Sequence, residues 1–143
     1  MGYRFFDDRT QGGMAPGQAM ILLARTGVGK TWWLINVAVN NPNVPTVFFS
    51  LEMDARYILG RVASTNTGQA PNRIENTMRD IGTSPAVDST CDDLPLLYIE
   101  DTPDIGLADM SQGLDDYRDR TGSPARLVLV DYLELVRNWG TTQ

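Results

Sequence analysis

Between Gln18 and Val39 the chain reads QAMILLARTGVGKTWWLINVAV, and no other stretch constrains the fold as tightly. Ala19 to Leu23 is a short apolar run of the length that a buried strand needs. Ala24, Arg25, Thr26, Gly27, Val28, Gly29, Lys30 and Thr31 follow as a loop, and Trp32 to Val39 as an apolar helix. Strand, glycine loop and helix in that order read as a phosphate cradle. Gly27 and Gly29 would let backbone N–H groups converge on an anion with no Cβ in the way. The helix behind them would add free N–H groups and its dipole. Lys30 would reach the β- and γ-phosphates of a nucleotide, and the Thr31 hydroxyl would ligate Mg²⁺. The general pattern G-x-x-x-x-G-K-[ST] is met except at its first position, which is Ala24. The bland alternative is a glycine turn that only joins a strand to a helix. Against it stands one count: Lys30 is the sole lysine, and every other basic residue is arginine.

Composition narrows the chemistry. A chain of 143 residues is long enough for one domain with a real core. No run approaches the ~20 apolar residues of a membrane span, and no basic-then-apolar leader opens the sequence. The single cysteine, Cys91, excludes an internal disulfide and a cysteine-rich zinc site, and it reads as an ordinary loop cysteine. There is no histidine, so any catalytic base must be a carboxylate. Together these features point to a reducing cytoplasm. A net charge of −6 and a pI near 4.5 argue against a basic surface that grips nucleic acid by itself. They leave room for a few arginines lining a channel in an assembly.

Residues 1–17 form a lead-in segment whose Phe5–Phe6 pair is expected to tuck under a sheet. The helix after Thr31 is apolar almost all round, except for a stripe that holds Trp32, Asn36 and Asn40. Trp32 is therefore expected either to pack on a neighbouring loop or to meet a subunit or nucleotide. Thr46 to Leu51 reads as a second strand, and Asp54 to Thr65 as a helix with Ile58, Leu59, Val62 and Ala63 on one stripe. Pro71 starts a short helix ending near Gly82. Pro85 to Asp93 reads as an acidic surface loop. Pro95 to Glu100 is a third strand, Leu107 to Arg120 a helix with Leu107, Met110, Leu114 and Tyr117 facing a core, and Arg126 to Val130 a fourth strand ending at Asp131. Tyr132 to Trp139 begin a further element. Alternating strands and helices predict an α/β fold with a mainly parallel sheet and helices on both faces. In such sheets ligands sit at the carboxyl ends of the strands. The phosphate loop, Glu52, Asp101–Thr102 and Asp131 all fall there.

An aspartate closing an apolar strand, as in LVLVD, is the usual partner of a phosphate loop and holds Mg²⁺ directly or through water. Hydrolysis needs a carboxylate to polarise the attacking water. Glu52 and Glu134 are the candidates, and Glu52, at a strand end, is better placed.

Five segments in order resemble one family: GGMAPG before the first strand, Ala24–Arg25 opening the loop, Ser50-Leu51-Glu52-Met53, PLLYIEDTP from Pro95 to Pro103, and Asp131-Tyr132-Leu133-Glu134-Leu135. They are similar to the C-terminal domain of DnaB-like replicative helicases, a RecA-like P-loop ATPase, over about Phe5 to Arg137. The family also carries Ala at the first loop position. The resemblance implies an ATP- and Mg²⁺-dependent motor. It implies a homo-hexameric ring that translocates on single-stranded DNA, with a primase or helicase loader as possible partners. Carried over by position, residues 24–32 would bind nucleotide and Lys30 would contact phosphate. Thr31 and Asp131 (the Walker B aspartate) would hold the metal, and Glu52 would be the catalytic base. Arg61 matches a recurrent arginine with a structural or subunit-contact role.

Trp32 replaces the family's usual small hydroxyl residue, Thr26 a frequent Pro, and Glu134 a common Gln. Residues 1–143 are accordingly expected to be a partial RecA-like ATPase domain, with 18–143 running from the phosphate loop to Walker B. The family's sensor strand, which lies between the phosphate-loop and Walker B strands, does not follow Gln143. A gap in the sheet, or another closure, is therefore expected, with ATP binding but weak or no hydrolysis by this chain alone. Two other readings compete: a RecA/RadA- or KaiC-like ATPase, and a non-catalytic nucleotide-binding module that joins a partner ring.

Overall fold

The computed structural model describes residues 1–137. In chain order the elements are α1 (Arg4–Arg9), α2 (Lys30–Val39), β1 (Thr46–Ser50), α3 (Ala55–Thr67), α4 (Pro71–Ile81), α5 (Pro85–Asp93), β2 (Leu97–Glu100), α6 (Leu107–Thr121) and β3 (Leu127–Asp131). A single 3₁₀ turn, Leu133–Leu135, follows β3.

The three strands make one parallel sheet in the order β2-β1-β3. β1 is central. Thr46, Val47, Phe48 and Phe49 pair with Leu97 to Glu100 on one side, and Thr46 to Ser50 pair with Leu127 to Asp131 on the other. A strand enclosed on both edges and both faces reads as an unbroken apolar run rather than an alternating one, and all five β1 residues are buried. The pleat still divides them. Phe48 joins Ile35, Val37, Ala38, Ile58, Val62 and Leu129 in a core under α2 and α3. Val47 and Phe49 join Ile105 and Tyr117 in a second core under α6. Each fully buried Phe is worth about 1.5–3 kcal/mol relative to an exposed one, which makes β1 the energetic centre of the fold. A satellite cluster of Ala63, Ile74, Met78, Ala86 and Val87 ties α3, α4 and α5 together.

Several boundaries have visible local causes. Asp54 caps α3 by accepting from Tyr57 N–H at 2.7 Å, and Pro71 opens α4 at its first turn. α4 ends at Gly82, as expected.

Five expectations are corrected. Ala19–Leu23 is not a strand: it has no strand partner among the described residues, and Ile21 is 69% and Leu23 84% exposed. Residues 85–93 are a helix and not a loop. Ser84 Oγ caps them by accepting from Val87 N–H, Pro85 starts the helix, and Ala86, Val87 and Thr90 are buried at helical spacing. Cys91 is thus an exposed helix residue. Phe5 does not tuck under the sheet: it is exposed on α1 with the Arg9 guanidinium over its ring. Tyr3 takes the inner place, stacked on Trp33 with ring centroids 5.5 Å apart. On α6 the inner stripe holds Met110, Leu114 and Tyr117, but Leu107, in the first turn, is exposed. Of the element expected at 132–139, residues 138 and 139 lie outside the described residues.

Candidate functional site

At the loop, sequence and backbone agree. Gly27 (φ +83°) and Gly29 (φ +97°) both take left-handed conformations that side-chain-bearing residues rarely adopt. A Cβ on Gly27 would meet nothing within 4 Å, so conformation and not crowding requires glycine there. Gly29 is the N-cap of α2 and offers no side chain to the first-turn N–H groups. Among the described residues no side chain caps those donors, and a helix start of this kind can accept an outside anion. The segment from Ile21 to Val28 is exposed throughout, so Ala24, Arg25, Thr26 and Val28 stand on an open surface.

Lys30 and Thr31 open α2. Thr31 Oγ1 donates to Asp131 Oδ2 at 2.6 Å across a hundred positions of sequence. Asp131 is only 2% exposed. Its carbonyl accepts from Leu51 N–H at 2.8 Å, which locks the ends of β1 and β3 together. A short bond from a hydroxyl to a carboxylate is a strong one, and it fixes the loop-bearing helix against the end of the sheet. The Lys30 ammonium lies 5.4 Å from the centroid of the Tyr132 ring.

Glu52 stands two residues beyond β1, exposed, in a turn shaped by Ser50 Oγ donating to the Met53 carbonyl at 2.6 Å. Glu134 is also exposed, in the 3₁₀ turn. Asp101 is committed elsewhere: its Oδ2 accepts from Ala55 N–H at 2.6 Å, a second carboxylate at the α3 N-terminus. Trp32 is half-buried, with the Arg61 guanidinium 4.9 Å from its ring. Arg61 also covers the Tyr57 ring at 4.3 Å and donates to its hydroxyl. Arg61 Nε is the one buried side-chain polar atom without a partner among the described residues. The structure therefore joins Lys30, Thr31 and Asp131 at the loop and puts Trp32 and Arg61 in one stack beside it. Tyr132 and Tyr57 escaped the reading of the sequence. Only Tyr132's place next to Asp131 pointed to it.

No group of three or more His, Cys, Asp or Glu side chains among the described residues could enclose a metal. A hard cation that keeps its waters and takes the rest of its shell from phosphate needs fewer protein ligands. Thr31 Oγ1 and Asp131 Oδ2 are two oxygens held side by side at the loop.

The model of the DnaB-like helicase C terminal domain matches residues 1–143. The chain belongs to the DnaB-like helicase C-terminal domain family. Curated relatives agree with the DnaB-like assignment. The replicative DNA helicase DnaB of Leifsonia xyli is 32% identical over 141 residues, covering 94% of this chain and 30% of the relative. That of a Synechocystis strain is 29% identical over 140 residues, covering 93% of this chain and 16% of the relative. That of Geobacillus stearothermophilus is 26% identical over 142 residues, covering 95% and 31%. The chain thus spans under a third of the length of these DnaB relatives. The α/β fold and the helicase-family membership expected from the sequence stand. No helix among the described residues is long and apolar enough to cross a membrane.

Proposed function

We propose that this chain is the nucleotide-binding part of a DnaB-like replicative helicase motor that couples ATP hydrolysis to translocation on single-stranded DNA. In this reading residues 24–32 surround the nucleotide, with backbone N–H groups of the loop and of the first turn of α2 directed at phosphate. Lys30 neutralises β- and γ-phosphate charge. Thr31 and Asp131 hold Mg²⁺, which when bound would offset charge on the phosphates. Glu52 orients and deprotonates the attacking water. Trp32, backed by Arg61, walls the nucleotide site. The observation that carries the reading is the Thr31–Asp131 hydrogen bond beside a glycine loop in left-handed conformation. An acidic chain has little electrostatic hold on DNA by itself, so contact with single-stranded DNA is assigned to a homo-hexameric ring, and a primase or loader to the surface of that ring.

The test is equilibrium binding of a fluorescent ATP analogue to residues 1–143, with and without Mg²⁺, beside Lys30→Ala. Magnesium-dependent binding weakened at least about tenfold in the variant, a loss of ~1.4 kcal/mol, is the expected result. Equal binding by both proteins, or by neither, would remove the reading. We further propose little or no turnover by this chain alone, because the run leading into the loop is exposed and outside the sheet. The same observation favours a second reading, a module that binds nucleotide without turnover and joins a partner ring. Steady ATP hydrolysis stimulated by single-stranded DNA would exclude it.

A further inference from the structure

Lys30 is the only lysine in the chain, and no carboxylate pairs with it among the described residues. Its ammonium instead lies over the ring of Tyr132, 5.4 Å from the centroid and inside the ~6 Å reach of a cation–π attraction. The placement follows from the neighbouring pair. Thr31 is bound to Asp131, so the residues that flank this bond, Lys30 on α2 and Tyr132 after β3, are brought face to face. Two contacts between the same two short segments thus form a clasp: one polar, one between a cation and a ring.

We propose that Tyr132 is a positioning residue for Lys30. Its ring is the resting partner of the ammonium, and a bound triphosphate competes with the ring for it. The inference rests on the nucleotide-binding reading above and deepens it. What the ring contributes is given up when the ammonium transfers to phosphate oxygens. A ring contact at a partly exposed site is worth enough to shift affinity about two- to fivefold. The ring face makes the contact, so phenylalanine replaces tyrosine and leucine does not.

Because there is one lysine, lysine-selective ¹³C labelling reports on a single side chain. In the nucleotide-free chain the Lys30 methylene protons should show an upfield ring-current shift. Tyr132→Phe should retain it and Tyr132→Leu should abolish it. Adding the ATP analogue with Mg²⁺ should remove it from wild type, and Tyr132→Leu should bind the analogue about two- to fivefold more tightly than wild type while Tyr132→Phe matches wild type. Random-coil Lys30 shifts in the free wild-type chain would overturn the proposal even if the leucine variant failed to fold. So would a shift that the leucine variant keeps, or an affinity that leucine leaves unchanged or lowers. A ring-shifted, Tyr132-dependent Lys30 signal in a protein that binds no analogue would overturn the nucleotide-binding reading, and the competition with it, while leaving the ring contact itself established.

Discussion

Two apolar runs of similar length, Ala19–Leu23 and Thr46–Ser50, meet opposite fates. Phe48 and Phe49 are wholly buried, whereas Ile21 and Leu23 are 69% and 84% exposed. Hydrophobicity does not separate them. Pairing and branching do. TVFFS is rich in β-branched and aromatic residues and has a parallel neighbour on each edge. AMILL has one β-branched residue and no neighbouring strand among the described residues. A strand is a relation between segments, and a run without its counterpart gains neither ladder bonds nor burial.

The comparison breaks most easily at its buried side. Phe48→Ala should cost about 3–5 kcal/mol, read as a lowered urea midpoint. A cost under about 1 kcal/mol would mean that β1 is not the centre of the fold. Asp54→Ala tests how far the stability of the β1 region reaches into α3. Losing the cap on Tyr57 N–H should cost about 1 kcal/mol by the same denaturation, while Asp101 continues to hold Ala55. The smallest effect belongs to the exposed run. Leu23→Ser should change stability by no more than about 0.5 kcal/mol, and a loss above about 1.5 kcal/mol would show that residues 19–23 are packed in solution.

The same contrast explains what could be read in advance. Central strands and long amphipathic helices declare themselves because their pattern is set by burial, and β1, α3, α4 and β3 fall where periodicity and capping put them. Thr31 and Asp131 were each singled out by motif, but the hydrogen bond that joins them is visible only in the structure. α5 was hidden by its acidic surface. The informative residues there were Ser84 and Pro85, a cap and a helix starter, with Ala86, Val87 and Thr90 spaced for one face. Ala19–Leu23 was misread because propensity describes a segment and pairing describes two. The Lys30–Tyr132 and Trp32–Arg61–Tyr57 contacts lie beyond pattern reading, because they depend on how side chains from different elements meet.

The outer edge of β3 has one further consequence. Among the described residues only β1 lies beside it, and Val128 on that strand is 42% exposed. Unpaired amides and carbonyls along such a rim form a template on which another copy can stack edge to edge. Purified material should therefore have a colloidal limit set by this rim and not by unfolding: light scattering should rise with protein concentration well below the melting temperature.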